Sequence, residues 1–365
     1  MTKTILREFY TTKDVAKRLH MTHQHIARLC RQGKWNVEKF GSEYAIPRTE
    51  IDVKPWLEQN PDDLACHHRN ILKLYIAKNK LKLNILGILA TGEEASRIYA
   101  DYLVFACKEV GINLSLKVID SGAVLNNIIS ANKDPETHGV FIFYPIFKNE
   151  EDEKIKGFLN HEKDIEGLST FWMSRLYKNI RFIDDKRTKK AILPCTPLAI
   201  LKTLDFIGMA PDSESTAPFR GKKVTIFNRS DLVGQPLAHM LKNDEAEVFA
   251  FDIYGGVRMK ANLKPTRITR AEALRVSDIV VTGVPSRDFQ KVRASEIKEG
   301  AYCLNFSSVQ NFEDDAKVKA GVFVPRVGPM TIAMCLRNTM RLYENYRDKY
   351  QPSRARSVAA AVVGV

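Results

Sequence analysis

The stretch VTIFNRSDLVGQPLAHML, residues 224–241, constrains the fold more than any other part of this chain. A β-rich run, a polar turn and an amphipathic helix pattern follow one another. That is the layout of a dinucleotide-binding turn, in which a strand leads into a helix N-terminus whose free amides and positive dipole end face a pyrophosphate. Such a turn expects three glycines, and here only Gly234 is present, with Asn228 where the first should stand. Gly234 suits the helix-packing role, while Arg229 and Ser230 offer side-chain donors to phosphate. By spacing alone the signal is weak, because many strand–turn–helix units look like this. The next strand strengthens it. AEVFAFD ends in Asp252, roughly 20 residues on, where an acid accepts hydrogen bonds from the adenosine ribose hydroxyls. A carboxylate there repels a 2′-phosphate, so NAD is the expected cofactor rather than NADP. The alternative for Asp252 is a solvent-facing residue at a strand end.

The same grammar runs through most of the chain. LACHHRNILKLYIAKN (64–79) has helical spacing, KLNILGILA (82–90) reads as a strand, and EEASRIYADYLVFACKEVG (93–111) as a helix closed by a glycine. INLSLKVID, VLNNIISANKD and HGVFIFYPI continue as strand, helix and strand. TPLAILKTLDFIG (196–208) is a helix, KKVTIFN a strand, and AEVFAFD, SDIVVTG, AYCLNF and VFVP are four further strands. GPMTIAMCLRNTMRLYENYRDKY (328–350) closes the series as a long helix. Strands alternating with helices predict parallel sheets, hence an α/β fold.

The first 60 residues differ. TTKDVAKRLH and THQHIARLCRQG read as two helices joined by a short turn, followed by KWNVEKF, a Gly41-Ser42 turn and EYAIP, two short alternating runs that predict a hairpin. Helix, turn, helix and wing is the helix-turn-helix arrangement. With the second helix in a major groove, Thr22, His23, Gln24, Arg28 and Arg31 would reach bases and phosphates, with Lys34 and Lys39 near the backbone. The charge argument is mild, eleven Lys and Arg against seven Asp and Glu over residues 1–60. A small helical appendage with a solvated basic face is the plainer alternative.

The expected organisation is therefore a winged helix-turn-helix-like domain over 1–60, a catalytic α/β domain over 61–195 plus 330–350, a Rossmann-type domain over 196–329, and a tail at 351–365. No apolar run approaches the ~20 residues of a membrane helix, so no membrane partner is expected. The N-terminus lacks the apolar core of a secretory signal. The six cysteines are scattered with no CxxC pair, which suits a reducing compartment, the cytoplasm, and gives no metal site. A net charge of +13 fits nucleic acid, a polyanionic substrate or plain solubility equally.

The order LPCTPLAI (193–200), NRSDLVGQPLA (228–238), VVTGVPS (280–286) and VGPMTIAMCLRNT (327–339) resembles the methylenetetrahydrofolate dehydrogenases, including the bifunctional dehydrogenase/cyclohydrolases. ASRIYADYL, HGVFIFYPIF and KDIEGL extend the resemblance over residues 82–346, and its detail is most similar to the monofunctional NAD-dependent branch. The front 9–58 resembles the excisionase and MerR-like winged helix-turn-helix family, except that Pro55 interrupts the closing helix. The resemblance implies a two-domain folate dehydrogenase fold, a homodimer, tetrahydrofolate as substrate and NAD as cofactor. It implies that Tyr99 stacks on the folate, that Glu166 takes the pterin donors, and that Phe143, Pro325, Gly328 and Pro329 shape the substrate site. Arg229, Ser230, Asp252, Ile253, Thr282, Gly283, Val284, Pro285 and Asn305 would line the cofactor. Cys195 is either a reactive thiol near the cofactor or a small buried residue between prolines.

Departures carry the mechanism. The bifunctional pattern places a Lys four residues after the Tyr, and here that position is Leu103. Its Gln before the third strand's Leu-Pro is Phe143, its Gly-Arg-Ser is Asn228-Arg229-Ser230, and the loop at Pro325–Thr331 is one residue shorter and carries Arg326. Leucine and phenylalanine move no protons, so dehydrogenation without cyclohydrolase activity is expected. The alternatives are a DNA-binding regulator that uses the folate and NAD domain as a sensor, and a front segment joined by fusion. The family's usual leading strand and helix have no recognisable counterpart in the first 60 residues.

Overall fold

The computed structural model describes residues 9–18, 23–31, 37–40, 43–47, 62–209 and 216–350. The chain divides into two compact units, residues 1–67 with 200–328 and residues 68–199 with 329–365.

The front of the chain forms β1 (Phe9–Thr11), α1 (Thr12–Arg18), α2 (His23–Arg31), β2 (Glu38–Phe40) and β3 (Glu43–Pro47). β3 is the middle strand and pairs antiparallel with both β1 and β2. Val15 and Ala16 of α1, Ile26 and Cys30 of α2 and Ile46 of β3 are buried, the one-turn spacing of Ile26 and Cys30 giving α2 a single apolar face. Thr12 Oγ1 and His23 Nε2, 2.7 Å apart, tie the two helices together at their first turns.

In the unit of residues 68–199 and 329–365, the chain runs through α3 (Asp62–Lys78), β4 (Asn84–Leu89), α4 (Glu94–Val110), β5 (Asn113–Val118), α5 (Val124–Lys133) and β6 (Gly139–Ile142). The sheet order is β5-β4-β6, all parallel. α4 ends at Gly111, whose φ of +86° lets its amide turn back to the carbonyls of Cys107 and Lys108. Leu86 and Ile88 of β4, Val140 and Ile142 of β6, and Val124, Ile128 and Ala131 of α5 make the core. Two helices that hydropathy spacing did not single out follow, α6 (Glu151–Phe158) and α7 (Thr170–Tyr177). Ile155 is the one α6 residue in that core, and a single apolar anchor gives little periodicity to read.

After α8 (Cys195–Phe206), the other unit carries β7 (Lys223–Phe227), α9 (Gly234–Asn243), β8 (Glu247–Asp252), β9 (Gly255–Met259), β10 (Thr266–Ile268), α10 (Arg270–Val276), β11 (Ile279–Thr282), β12 (Tyr302–Asn305), α11 (Asp314–Lys319) and β13 (Val322–Val324). Its seven-stranded sheet has the order β10-β9-β8-β7-β11-β12-β13. The strands from β8 to β13 are parallel, and β9 and β10 are antiparallel additions at one edge. β7 lies between β8 and β11, so the strand order reverses there. Ligands of open α/β sheets bind at such a reversal, beyond the carboxyl ends of the strands. Phe227, Phe249, Phe251, Phe312 and Phe323 dominate the core. Gly256 of β9 lies against Phe251, where a β-carbon would come within 2.2 Å of the ring. The closing helix is α12 (Gly328–Asn345), and the chain breaks at Tyr346 before a short α13 (Arg347–Tyr350), where a single helix through 350 was expected.

Candidate active site

The turn between β7 and α9 explains how a chain with one glycine makes the bend. Asn228 does locally what the first glycine would do by conformational freedom. Its Oδ1 accepts from the amide of Ser230 at 2.9 Å and from the Ser230 hydroxyl at 2.7 Å, while its Nδ2 donates to the Gly283 carbonyl at 2.9 Å. That Asx turn also fastens the first strand's loop to the loop after β11. Gly234 opens α9 so close to the strand end that a β-carbon would fall 2.0 Å from the Asn228 carbonyl oxygen. Gly234→Ala is therefore expected to cost about 1–3 kcal/mol in chemical denaturation, and wild-type stability in the variant would refute the close-approach argument.

Asp252 stands at the end of β8. Its Oδ2 accepts from Arg229 Nη1 at 2.6 Å, and its Oδ1 accepts from the Tyr254 amide at 2.8 Å. The two side chains are only about a quarter exposed, 26% for Arg229 and 25% for Asp252. Ser230 is exposed beside them, and Ile253 is 90% exposed. The residues fit a dinucleotide: a glycine close-approach point, an exposed hydroxyl held by Asn228, and a fixed carboxylate meet at the strand-order reversal.

Around the ends of β11 and β12 the expected cofactor residues brace one another. Thr282 Oγ1 donates to Asn305 Oδ1 at 3.1 Å, and Asn305 Nδ2 donates to the Ser307 carbonyl at 2.8 Å. Both are buried. Gly283 is required by Phe306, whose ring would meet a β-carbon at 1.8 Å. Val284 is held by Asn311, which accepts from its amide at 2.9 Å and donates to its carbonyl at 3.0 Å. Asn311 went unread in the sequence because a lone asparagine in a loop carries no pattern. Pro285 is exposed and Pro325 half-buried. Arg326, carried by the shortened loop, pairs with Asp62 at 2.7 Å. Gly328 has no neighbour that would obstruct a β-carbon, and Pro329 follows it in α12.

In the other unit, Tyr99 packs with Phe141 and Phe143 at centroid distances of 6.0 and 6.2 Å. Leu103, one turn on, is 0% exposed, and Phe143 is 3% exposed. Burial, with hydrogen bonding to the Cys335 thiol as a lesser cause, holds the Tyr99 phenol well above its ordinary value. Glu166 accepts from the Ile142 amide at 3.1 Å. The same recess is lined by Tyr144, Lys156, Asp164 and Ser169. Asp164 is fully enclosed and accepts from the amides of Glu166, Gly167 and Ser169. Removal from water, then the nearby Asp164 charge, raises the Glu166 carboxyl well above the usual range.

That shift sets a stability test. Above the unfolded carboxyl value the native state binds more protons than the unfolded state, so stability falls as pH rises. Glu166→Gln retains an acceptor for Ile142 and does not titrate. Thermal melts from pH 5 to pH 8 are expected to fall more steeply for wild type than for the variant; parallel curves would disprove the burial effect.

Cys195 is buried at the start of α8. Its Sγ donates to the Ile165 carbonyl at 3.2 Å and accepts from Asn338 Nδ2 at 3.3 Å. Burial raises the thiol well above its ordinary value. A nucleophilic cysteine needs the opposite, a stabilised thiolate. Here the thiol packs and orients the start of α8.

Of the residues expected to meet DNA, Thr22 and Lys34 lie outside the described residues. His23, Gln24, Arg28 and Arg31 are exposed on α2. His23 is joined to Thr12, and Arg31 Nε donates to the Ala27 carbonyl at 3.3 Å.

Residues 60–166 match the tetrahydrofolate dehydrogenase/cyclohydrolase catalytic domain, and residues 194–347 match the NAD(P)-binding domain of the same family. A methylenetetrahydrofolate dehydrogenase [NAD(+)] of Schizosaccharomyces pombe is 36% identical over 283 residues, covering 74% of this chain and 88% of the relative. One from Dictyostelium discoideum is 36% identical over 305 residues, covering 81% and 94%. The solved NAD-dependent 5,10-methylenetetrahydrofolate dehydrogenase of Saccharomyces cerevisiae is similar with a TM-score of 0.73 and 33% identity, covering 80% of this chain and 96% of that one. The chain belongs to the tetrahydrofolate dehydrogenase/cyclohydrolase family.

Proposed function

We propose that this chain oxidises methylenetetrahydrofolate to methenyltetrahydrofolate with NAD and does not hydrolyse the product. The observation that carries the cofactor choice is Asp252, a carboxylate fixed by Arg229 beside the close-approach glycine. NAD, when bound, supplies the carbon that accepts hydride. The chain's own residues hold and orient: Asp252 takes the ribose hydroxyls, Ser230 a phosphate oxygen, and the Thr282–Pro285 loop the nicotinamide side. Tyr99 and Glu166 position the folate, with Phe143, Pro325, Gly328 and Pro329 shaping the substrate site. Hydride loss is driven by the substrate's own nitrogen lone pair, so the residues need chiefly to fix two rings in place. Hydrolysis needs a group that moves a proton to or from water, and the buried hydrocarbon of Leu103 and the ring of Phe143 can do neither.

The test supplies purified protein with methylenetetrahydrofolate and either NAD or NADP, following reduced cofactor and methenyl product separately. NAD reduction with accumulating methenyl product is expected. Absence of turnover with both cofactors in folded protein would overturn the reading.

The finer readings stand beside it. The front five elements are proposed to be a winged helix-turn-helix, supported by α2 presenting His23, Gln24, Arg28 and Arg31 outward while Ile26 and Cys30 are buried. Salt-dependent binding to duplex DNA is its test. A homodimer is supported by Ile98, Tyr102 and Phe105 of α4, at one-turn spacing and 49%, 61% and 65% exposed. The six free cysteines suit a reducing, cytoplasmic setting.

A further inference from the structure

α12 buries nearly every side chain from Met330 to Asn345, and Arg337, Arg341 and the exposed Glu344 interrupt that run. Arg337 and Arg341 stand at i and i+4, the spacing that places side chains on one helix face, and both are half-buried. The side-chain NH2 donors of the neighbouring asparagines are all in use. Asn338 Nδ2 donates to the carbonyls of Ile165 and Leu193 at 3.0 and 2.9 Å, and Asn345 Nδ2 donates to that of Lys190 at 2.9 Å. The arginines are not. Neither guanidinium makes a hydrogen bond or ion pair among the described residues, and Arg341 Nε lies buried with no partner.

The surrounding charges do not relieve them. Burial, then the like charge of Arg341, draws Arg337 down to about 10, and burial lowers Arg341 as well. Glu344 is the one carboxylate that acts on Arg341, and it is hydrogen-bonded to the Tyr75 hydroxyl. The group acting on Arg337 in the other direction is the Cys195 thiol, which is neutral. A buried ion without a partner is costly, two like ions side by side more so. Guanidinium forks match the paired oxygens of carboxylates and phosphates.

We propose that Arg337 and Arg341 form an anion site on α12 that takes an oxyanion, a phosphate or carboxylate group, between their two forks. The site is separate from the Arg229 and Ser230 turn, which belongs to the other unit.

The experiment titrates the full chain with inorganic phosphate or with glutarate, against potassium chloride at matched ionic strength, and reads melting temperature and calorimetric heat. One saturable equivalent and a rise of about 2 °C or more are expected with at least one probe. Whichever probe acts assigns the site to phosphate or to carboxylate ligands. Arg337→Gln and Arg341→Gln should each abolish the rise, while Arg229→Gln retains it. Without added anion both variants should melt at or above wild type, since an unpaired charge has been removed. No saturable heat with either probe overturns the proposal, as does a rise that survives both substitutions. Calorimetry on the unmodified chain decides the matter even where a variant fails to fold.

Discussion

Asp252→Ala is expected to lower kcat/KM with NAD by roughly 100-fold. The carboxylate would accept from ribose hydroxyls, and hydrogen bonds to a charged group contribute about 1.5–3 kcal/mol each. Losing one to two of them removes near 3 kcal/mol, which is about two decades in affinity. The same change has an opposite effect on NADP. Asp252 holds Arg229 at 2.6 Å in wild type, so the guanidinium is occupied and a 2′-phosphate meets a carboxylate. Removing Asp252 abolishes the repulsion and frees Arg229 to take the phosphate. The selectivity ratio should therefore move further than the NAD constant alone. Steady-state kinetics with both coenzymes measures it, and an unchanged ratio would show that Asp252 does not face the ribose. Adding Arg229→Ala to the alanine variant should remove the gain with NADP, because the freed donor is then missing.

The nucleotide half of the site was legible because its signals are local. A β-run, a turn and an acid at the next strand end lie within about thirty residues, and backbone geometry fixes their relation. What could not be read was how Asn228 replaces a glycine, since that depends on the Gly283 carbonyl far along the chain. Nor could the β9–β10 addition be read: GGVRM and TRI are short strands with too few apolar residues to show alternation, and β9 lies so close to β8 that Gly256 is required against Phe251. α6 and α7 escaped for a related reason, each burying too few apolar side chains for a helical period. The folate half was legible only through resemblance. Tyr99 reads as an ordinary core aromatic, and its packing on Phe141 and Phe143 is that of one. Cys195 shows the limit in the other direction. A cysteine between prolines invites a chemical role, and only the Ile165 and Asn338 contacts reveal a packed, buried thiol.

Leu103→Lys is expected to destabilise the fold by about 3 kcal/mol or more without restoring hydrolysis. The family's proton-moving lysine would stand here, one turn after Tyr99, yet Leu103 is 0% exposed. A lysine at such a position loses the packing of a buried leucine, a change that costs about 2–5 kcal/mol when the side chain is cut away. It must also leave water or give up its proton, and a fully buried amine titrates well below its ordinary value. Proton chemistry at this point thus needs more than the residue itself. It needs a polar neighbour, and Phe143, which packs edge-on to Tyr99, supplies none. Denaturant unfolding of Leu103→Lys together with the methenyl-hydrolysis assay tests both halves of the argument. A variant as stable as wild type would mean that position 103 opens to solvent in solution. A variant that hydrolyses methenyltetrahydrofolate would show that one lysine is enough, and that Phe143 is no barrier to the second reaction.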